Sequence, residues 1–115
     1  MTTENKPYFS FEVLPPLRGK GIDSIYRTID RLMPFDPAYI NITTHRYDTL
    51  YSELANGTYK KLSVLNRPGT VAIAAAIKER YKVRTVPHII CSGFTAAEIE
   101  SELIALSYLG ITDLL

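Results

Sequence analysis

Four short stretches hold the side chains able to do chemistry. Glu12 lies in an apolar run, Phe9 to Leu14, just ahead of Pro15 and Pro16. A carboxyl in apolar surroundings favours its protonated form, and a proton held near neutral pH is what a general acid needs. A strand-end carboxylate facing water would satisfy the same sequence. Asn41, Thr43, Thr44 and His45 follow a second β-prone run, and His45 with Arg46 can grip an anion or simply be solvated. His88, Cys91 and Ser92 close a third run. On the residues alone, His88 after Pro87 reads as a hydrogen-bonded core histidine, and Cys91, with no assigned base, as a buried inert thiol. Pro68, Gly69 and Thr70 at a helix start read as a cap or, less commonly, as a phosphate cradle. Two histidines without a nearby carboxylate pair give no metal site, and neither a Ser-His-Asp order nor a Walker loop is present.

These residues need elements to carry them. Tyr8 to Leu14 reads as a strand that the two prolines end, because proline lacks the amide donor and restricts its predecessor. Ile22, Ile25, Tyr26, Ile29, Leu32 and Met33 recur three and four apart, which predicts a helix capped by Asp23 or Ser24 and closed by Pro34 and Pro37. Tyr39 to Thr43 is a second strand, rich in β-branched residues. The polar segment from Thr44 to Arg67 holds an Asn56-Gly57 turn signal and a short helix near Leu50 to Leu54. An alanine-rich helix follows over Val71 to Tyr81, with Val71, Ala74, Ala75, Ile77 and Tyr81 as its buried stripe. Val83 to Cys91 is a third strand, in which Pro87 marks an end or an edge. Thr95 and Glu98 form a capping box for a helix with Ile99, Leu103 and Leu106 on one face, ended by Gly110. Ile111 to Leu115 opens a fourth strand.

Strands alternating with helices imply βαβ units and a parallel sheet. Two closures fit: an open doubly wound sheet, or the first half of a (β/α)8 barrel, whose whole needs about 250 residues. No Gly-x-Gly-x-x-Gly follows the first strand, so a dinucleotide-binding sheet has no support. In either closure functional groups gather at the carboxyl ends of the strands, where Glu12, Asn41, Thr43, Thr44, His45 and His88 fall.

The 115 residues are 46% apolar and 22% charged, with thirteen basic side chains against twelve acidic ones. A net charge of +1 gives no footprint for nucleic acid or an anionic membrane. The apolar run Val71 to Ile77 is far short of the roughly 20 residues of a spanning helix, and Met1 to Lys6 is too polar for a signal peptide. One cysteine cannot form an internal disulfide, so a reducing, cytoplasmic setting is expected. One domain is expected, and a compact chain this long buries roughly two-thirds of its unfolded surface.

The run Phe9 to Pro16 (Phe-Ser-Phe-Glu-Val-Leu-Pro-Pro) resembles the Ser-Phe-Glu-Phe-x-Pro-Pro signature of methylenetetrahydrofolate reductases. Asp36 to Thr43 resembles that family's second strand, Val86 to Cys91 its Pro-His-x-x-Cys third strand, and Leu109 to Leu115 the approach to its fourth. The resemblance implies a flavin-containing (β/α)8 TIM barrel, of which residues 1–115 form the N-terminal part, truncated at the fourth strand. It implies an oxidoreductase in which NADH or NADPH reduces FAD, and the flavin reduces 5,10-methylenetetrahydrofolate to 5-methyltetrahydrofolate for methionine biosynthesis. It implies a homo-oligomer. By motif position Glu12 matches the acid that protonates the folate and helps open its five-membered ring to an iminium. Thr43 matches a threonine near flavin and nicotinamide, Thr44 the place of an aromatic flavin contact, and His88 a flavin-binding histidine. His45 stands beside them as a further cofactor contact.

The chain departs from the family where Thr44-His45-Arg46 replaces a Tyr-Gly-Ala-like turn, and the family's Leu-Arg-Gly-Asp motif would come after Leu115. A piece ending there is expected to be inactive alone. Two other readings fit the pattern: a non-enzymatic α/β module that binds a partner or self-assembles through its open sheet edge, and a different flavin or phosphate-binding barrel of similar layout.

Overall fold

The computed structural model describes residues 7–44, 48–64 and 69–115. The N-terminal stretch Met1 to Lys6, His45 with Arg46, and Pro68 lie outside the described residues. Strands β1 (Ser10–Val13), β2 (Tyr39–Ile42) and β5 (Thr85–Pro87) make one parallel sheet in the order β1-β2-β5. Between them lie helices α1 (Asp23–Leu32) and α2 (Thr70–Tyr81), and α3 (Ala96–Tyr108) follows β5. An antiparallel hairpin, β3 (Asp48–Glu53) and β4 (Tyr59–Val64), sits between β2 and α2. The α/β class and parallel sheet expected from the alternation are present.

One face of the sheet is apolar. Val13, Ile40 and Ile42 project from it into a cluster with Ile25 and Ile29 of α1 and Ile73, Ala74 and Ile77 of α2. Ile29, Ile40, Ile42 and Ile77 are wholly buried. Ile73 belongs to this core although the expected stripe omitted it. Because both helices pack on the same face, the other face is free to carry polar groups. Tyr81 locks the far end of α2 to α1: its hydroxyl lies 2.7 Å from Asp30 Oδ1 and 2.9 Å from the Tyr26 carbonyl oxygen. Arg80 stacks over the Tyr26 ring at 4.1 Å.

The helix boundaries follow local chemistry. Thr95 and Glu98 make both bonds of the expected capping box, at 3.2 and 2.7 Å. Gly110, at φ 70°, closes α3: its N–H donates to Ser107 O, and Ile111 N–H reaches back to Leu106 O. At α1 the expected cap is absent. Ile22 is the N-cap and Asp23 lies inside the first turn, where its charge favours the helix dipole without capping it. Within α3 only Leu106 is buried; Leu103 is 45% exposed, so the expected three-residue face shrinks to one. Helical spacing identifies a candidate face, but burial needs an element to pack on it, and only the Leu106 side meets the core.

The segment expected to hold a short helix near Leu50 to Leu54 is instead a β-ladder, Asp48↔Val64 through Glu53↔Tyr59. The turn at Asn56-Gly57 decides this. Gly57 takes φ 80°, and Asn56 Oδ1 accepts from Thr58 N–H, folding the chain back so that the flanking runs pair. Pairing satisfies backbone groups that a one-turn helix would leave open. Every side chain from 51 to 61 is exposed. The hairpin stands off the core accordingly. The radius of gyration is 18.0 Å, against about 13 Å for a compact chain of this length.

The third strand is shorter than Val83 to Cys91 because Pro87 ends it. Arg84 O and His88 N–H bond to β2, so the nitrogen of Pro87 points to the opposite, outer side, where a missing donor is tolerated. Cys91 therefore lies in a loop and is exposed, not buried. Of the expected fourth strand only Leu115 reaches β5, donating to Pro87 O at 3.2 Å and accepting from Ile89 N–H at 2.8 Å. Those are the opening bonds of a parallel ladder on the outer edge of β5.

Candidate functional site

The open face of the sheet collects the polar residues. Register places Glu12 of β1 beside Asn41 of β2. Alternation puts Ser10, Glu12, Asn41 and His88 on that face, opposite Val13, Ile40 and Ile42. A hydrogen-bonded row crosses the three strands. Asn41 Nδ2 donates to Ser10 Oγ at 3.3 Å, and Asn41 Oδ1 meets His88 Nε2 at 3.2 Å. With the amide oxygen facing the imidazole, Nε2 is the donor in that bond.

The His88 backbone is held twice. Its N–H donates to Ile42 O at 2.9 Å, and its carbonyl accepts from the Thr70 hydroxyl at 2.8 Å. Thr70 is the first residue of α2 and only 4% exposed. That bond spends its hydroxyl on tying the helix start to the end of β5. Gly69 is the N-cap, and through Thr70 this end of α2 anchors the end of β5.

Glu12 is exposed, which corrects the expectation of an apolar environment. Its sequence neighbours Phe11 and Val13 point to the opposite face; in a strand adjacent residues never share one. Thr43 and Thr44 are half-buried beyond the end of β2, and Thr43 N–H donates to Val13 O at 3.0 Å. Glu12, Thr43, Thr44 and His88 thus lie toward the carboxyl ends of three adjacent strands, and Asn41, in register with Glu12, bonds to His88. The bridging role of Asn41 was missed at the sequence level. Its signal was an amide within the β-branched run Tyr-Ile-Asn-Ile-Thr, where a polar side chain requires a partner.

The amino-terminal ends of the strands also carry features that the sequence reading passed over. A cavity of about 700 Å³ is lined by Tyr8, Phe9, Phe35, Tyr39 and Arg84 among others. Arg84 Nε donates to Asp113 Oδ2 at 2.6 Å while the guanidinium lies 5.6 Å from the Tyr39 ring centre. The Asp113 bond, and then its charge, hold the Arg84 pKa above its ordinary value; the same bond holds the Asp113 carboxyl below its own. Among the described residues no group of three His, Cys, Asp or Glu side chains can hold a metal ion, and no helix is long and apolar enough to cross a membrane.

Comparison with known proteins gives a consistent family. The family model described as methylenetetrahydrofolate reductase matches residues 1–115. Methylenetetrahydrofolate reductase (NADH) 1 of Arabidopsis thaliana is 25% identical over 115 residues, all of this chain and 17% of that protein. The probable methylenetetrahydrofolate reductase (NADH) of Oryza sativa subsp. japonica is 25% identical over 112 residues, 97% of this chain and 16% of that protein. A Zea mays protein of the same name as the Arabidopsis one is 24% identical over 112 residues. The chain therefore spans less than a fifth of the length of these relatives.

Proposed function

The chain belongs to the methylenetetrahydrofolate reductase family, and from that membership we propose that it is the N-terminal part of a single (β/α)8 barrel domain that reduces 5,10-methylenetetrahydrofolate. The carrying observation is the polar row on the open sheet face, with Glu12 beside Asn41 and Asn41 bonded to His88. In a closed barrel, helices cover the outer face and the other face turns inward. Helices α1 and α2 on the apolar face and the polar row on the other support that reading.

FAD is the group the family implies, and the donor set fits its ring. Asn41, the His88 imidazole and the Thr43 hydroxyl are hydrogen-bonding groups of the kind that suit the polar edge of a flavin ring. His88, Thr43 and Thr44 would hold it, with His45 as the adjoining contact. Bound there, FAD supplies the carrier of two electrons between the nicotinamide and the folate. The names of the plant relatives favour NADH as the donor.

Glu12 is the proton donor in this reading. Its carboxyl gives a proton to a nitrogen of the folate's five-membered ring, which favours opening to the iminium that accepts hydride. The carboxyl is exposed in this chain. The remaining strands of the barrel and the bound substrate would cover it and hold it against the folate ring. Asn41 positions His88 and is not itself a reacting group.

Glu12→Gln in the full-length enzyme tests the assignment. Flavin bleaching by NADH should persist, while reoxidation of the reduced flavin by methylenetetrahydrofolate should fall by about 10²–10⁴-fold. Equal loss in both half-reactions would remove Glu12 from the acid role.

A further inference from the structure

Charge is distributed unevenly between the two ends of the sheet. The connections that leave the carboxyl ends of its strands are residues 14–22, 43–69 and 88–95. They hold Arg18, Lys20, Arg46, Lys60, Lys61 and Arg67 against Asp48 and Glu53. Of these, Arg46 and Arg67 lie outside the described residues and contribute charge alone. The result is a surplus of four positive charges in a chain whose net charge is +1, so the remainder is negative. At the opposite end the connections 33–38, 82–84 and 109–115 balance Lys82 and Arg84 against Asp36 and Asp113. Both ion pairs among the described residues lie there, Lys82 with Glu79 at 3.2 Å and Arg84 with Asp113 at 2.6 Å. Arg18, Lys20, Lys60 and Lys61 are exposed and form no ion pair among the described residues. Pro15, wholly buried, pins the start of the first connection, and Gly19 at φ 87° folds it into a tight turn closed by Lys20 N–H on Leu17 O. The hairpin starts at Asp48, so its base lies within about 14 Å of Thr44.

We propose, on the reductase reading above, that Arg18, Lys20, Lys60 and Lys61 form an electropositive rim that captures anionic substrate at the carboxyl end of the sheet. Both substrates of that reaction are multiply charged: a nicotinamide dinucleotide carries a pyrophosphate, and a folate ends in glutamate carboxylates. Each must approach a face on which Glu12 presents an exposed carboxyl group. The surplus of the connections outweighs that one charge and gives the approach an attractive field. Exposed long side chains gain little from any single ion pair in water, so these cations act through the field more than through fixed contacts. Their effect is therefore on capture, read in kcat/KM, and not on the hydride or proton step. It also fades with salt, because the screening length falls from about 30 Å at 0.01 M to about 3 Å at 1 M.

Stopped-flow kinetics on the full-length enzyme test this, with each half-reaction followed at sub-saturating substrate across an ionic-strength series. Arg18→Gln with Lys20→Gln, Lys60→Gln with Lys61→Gln, and the fourfold variant remove charge while keeping polarity. The fourfold variant should lower the second-order rate of at least one half-reaction about tenfold at low salt. It should converge with the wild type near about 1 M salt and keep the limiting rate at saturating substrate. A loss confined to flavin bleaching by NADH assigns the rim to the dinucleotide; a loss confined to flavin reoxidation assigns it to the folate; a loss in both assigns it to each. Second-order rates unchanged in both half-reactions overturn the proposal. So does a loss that persists at high salt, which would mark a structural defect or a direct contact. A wild-type enzyme without folate-dependent reoxidation would remove the reductase reading and the proposal with it, whereas an unchanged variant removes the rim alone.

Discussion

The bond from Thr70 to His88 makes a quantitative claim that a single substitution can test. Thr70→Val keeps the shape of the side chain and removes the hydroxyl that donates to the His88 carbonyl at 2.8 Å. Thr70 is 4% exposed, so water cannot readily replace the donor. Leaving a buried carbonyl without its partner costs about 1–3 kcal/mol, partly offset by the extra apolar contact of the valine methyl, about 0.8 kcal/mol. A net loss of about 0.2–2 kcal/mol follows, at most about 30-fold in the folding equilibrium. Thr70→Ser is the control. It keeps the hydroxyl and gives up a methyl group, again about 0.8 kcal/mol. Stability alone therefore separates the two variants weakly, and the informative readout is at the site. His88 is anchored through that carbonyl, so only the valine variant should loosen its 3.2 Å contact with Asn41 and weaken flavin retention in the full-length enzyme. Urea unfolding gives the first quantity, and release of flavin fluorescence on dilution gives the second. If valine holds flavin as tightly as serine and the wild type do, the anchoring argument is wrong.

Two further outcomes follow from other contacts. Arg84 holds the Asp113 carboxyl below its ordinary pKa, first through their hydrogen bond. That contribution to stability is present above the unfolded carboxyl's pKa and is lost as pH falls through the depressed folded value; Arg84→Ala should move the Asp113 titration, followed by NMR, back up. Ile77→Ala, at a wholly buried position, should cost about 2–5 kcal/mol in denaturant unfolding, whereas Ile104→Ala, at 44% exposure, should cost under about 1 kcal/mol.

Local order alone determined much of this chain. Prolines 15, 16 and 87 end strands because a missing N–H acts within one or two residues. The capping box at Thr95 and the glycine at 110 bound α3 for the same reason: every group involved is within five positions in sequence. The alternation of elements gave the α/β class and the parallel sheet, and the motif around Glu12 pointed to the family. Tertiary structure decided the rest, because those questions depend on partners far along the chain. Glu12 has apolar neighbours in sequence and none of them on its own face. The segment after Asp48 became a strand because β4 was there to pair with it. Leu103 fits a helical stripe, yet nothing in the core reaches it. The site row joins Ser10 to Asn41 across 31 positions and Asn41 to His88 across 47. Only the register of the parallel sheet brings those residues within hydrogen-bonding distance, and register is set by burying Val13, Ile40 and Ile42 together on the opposite face.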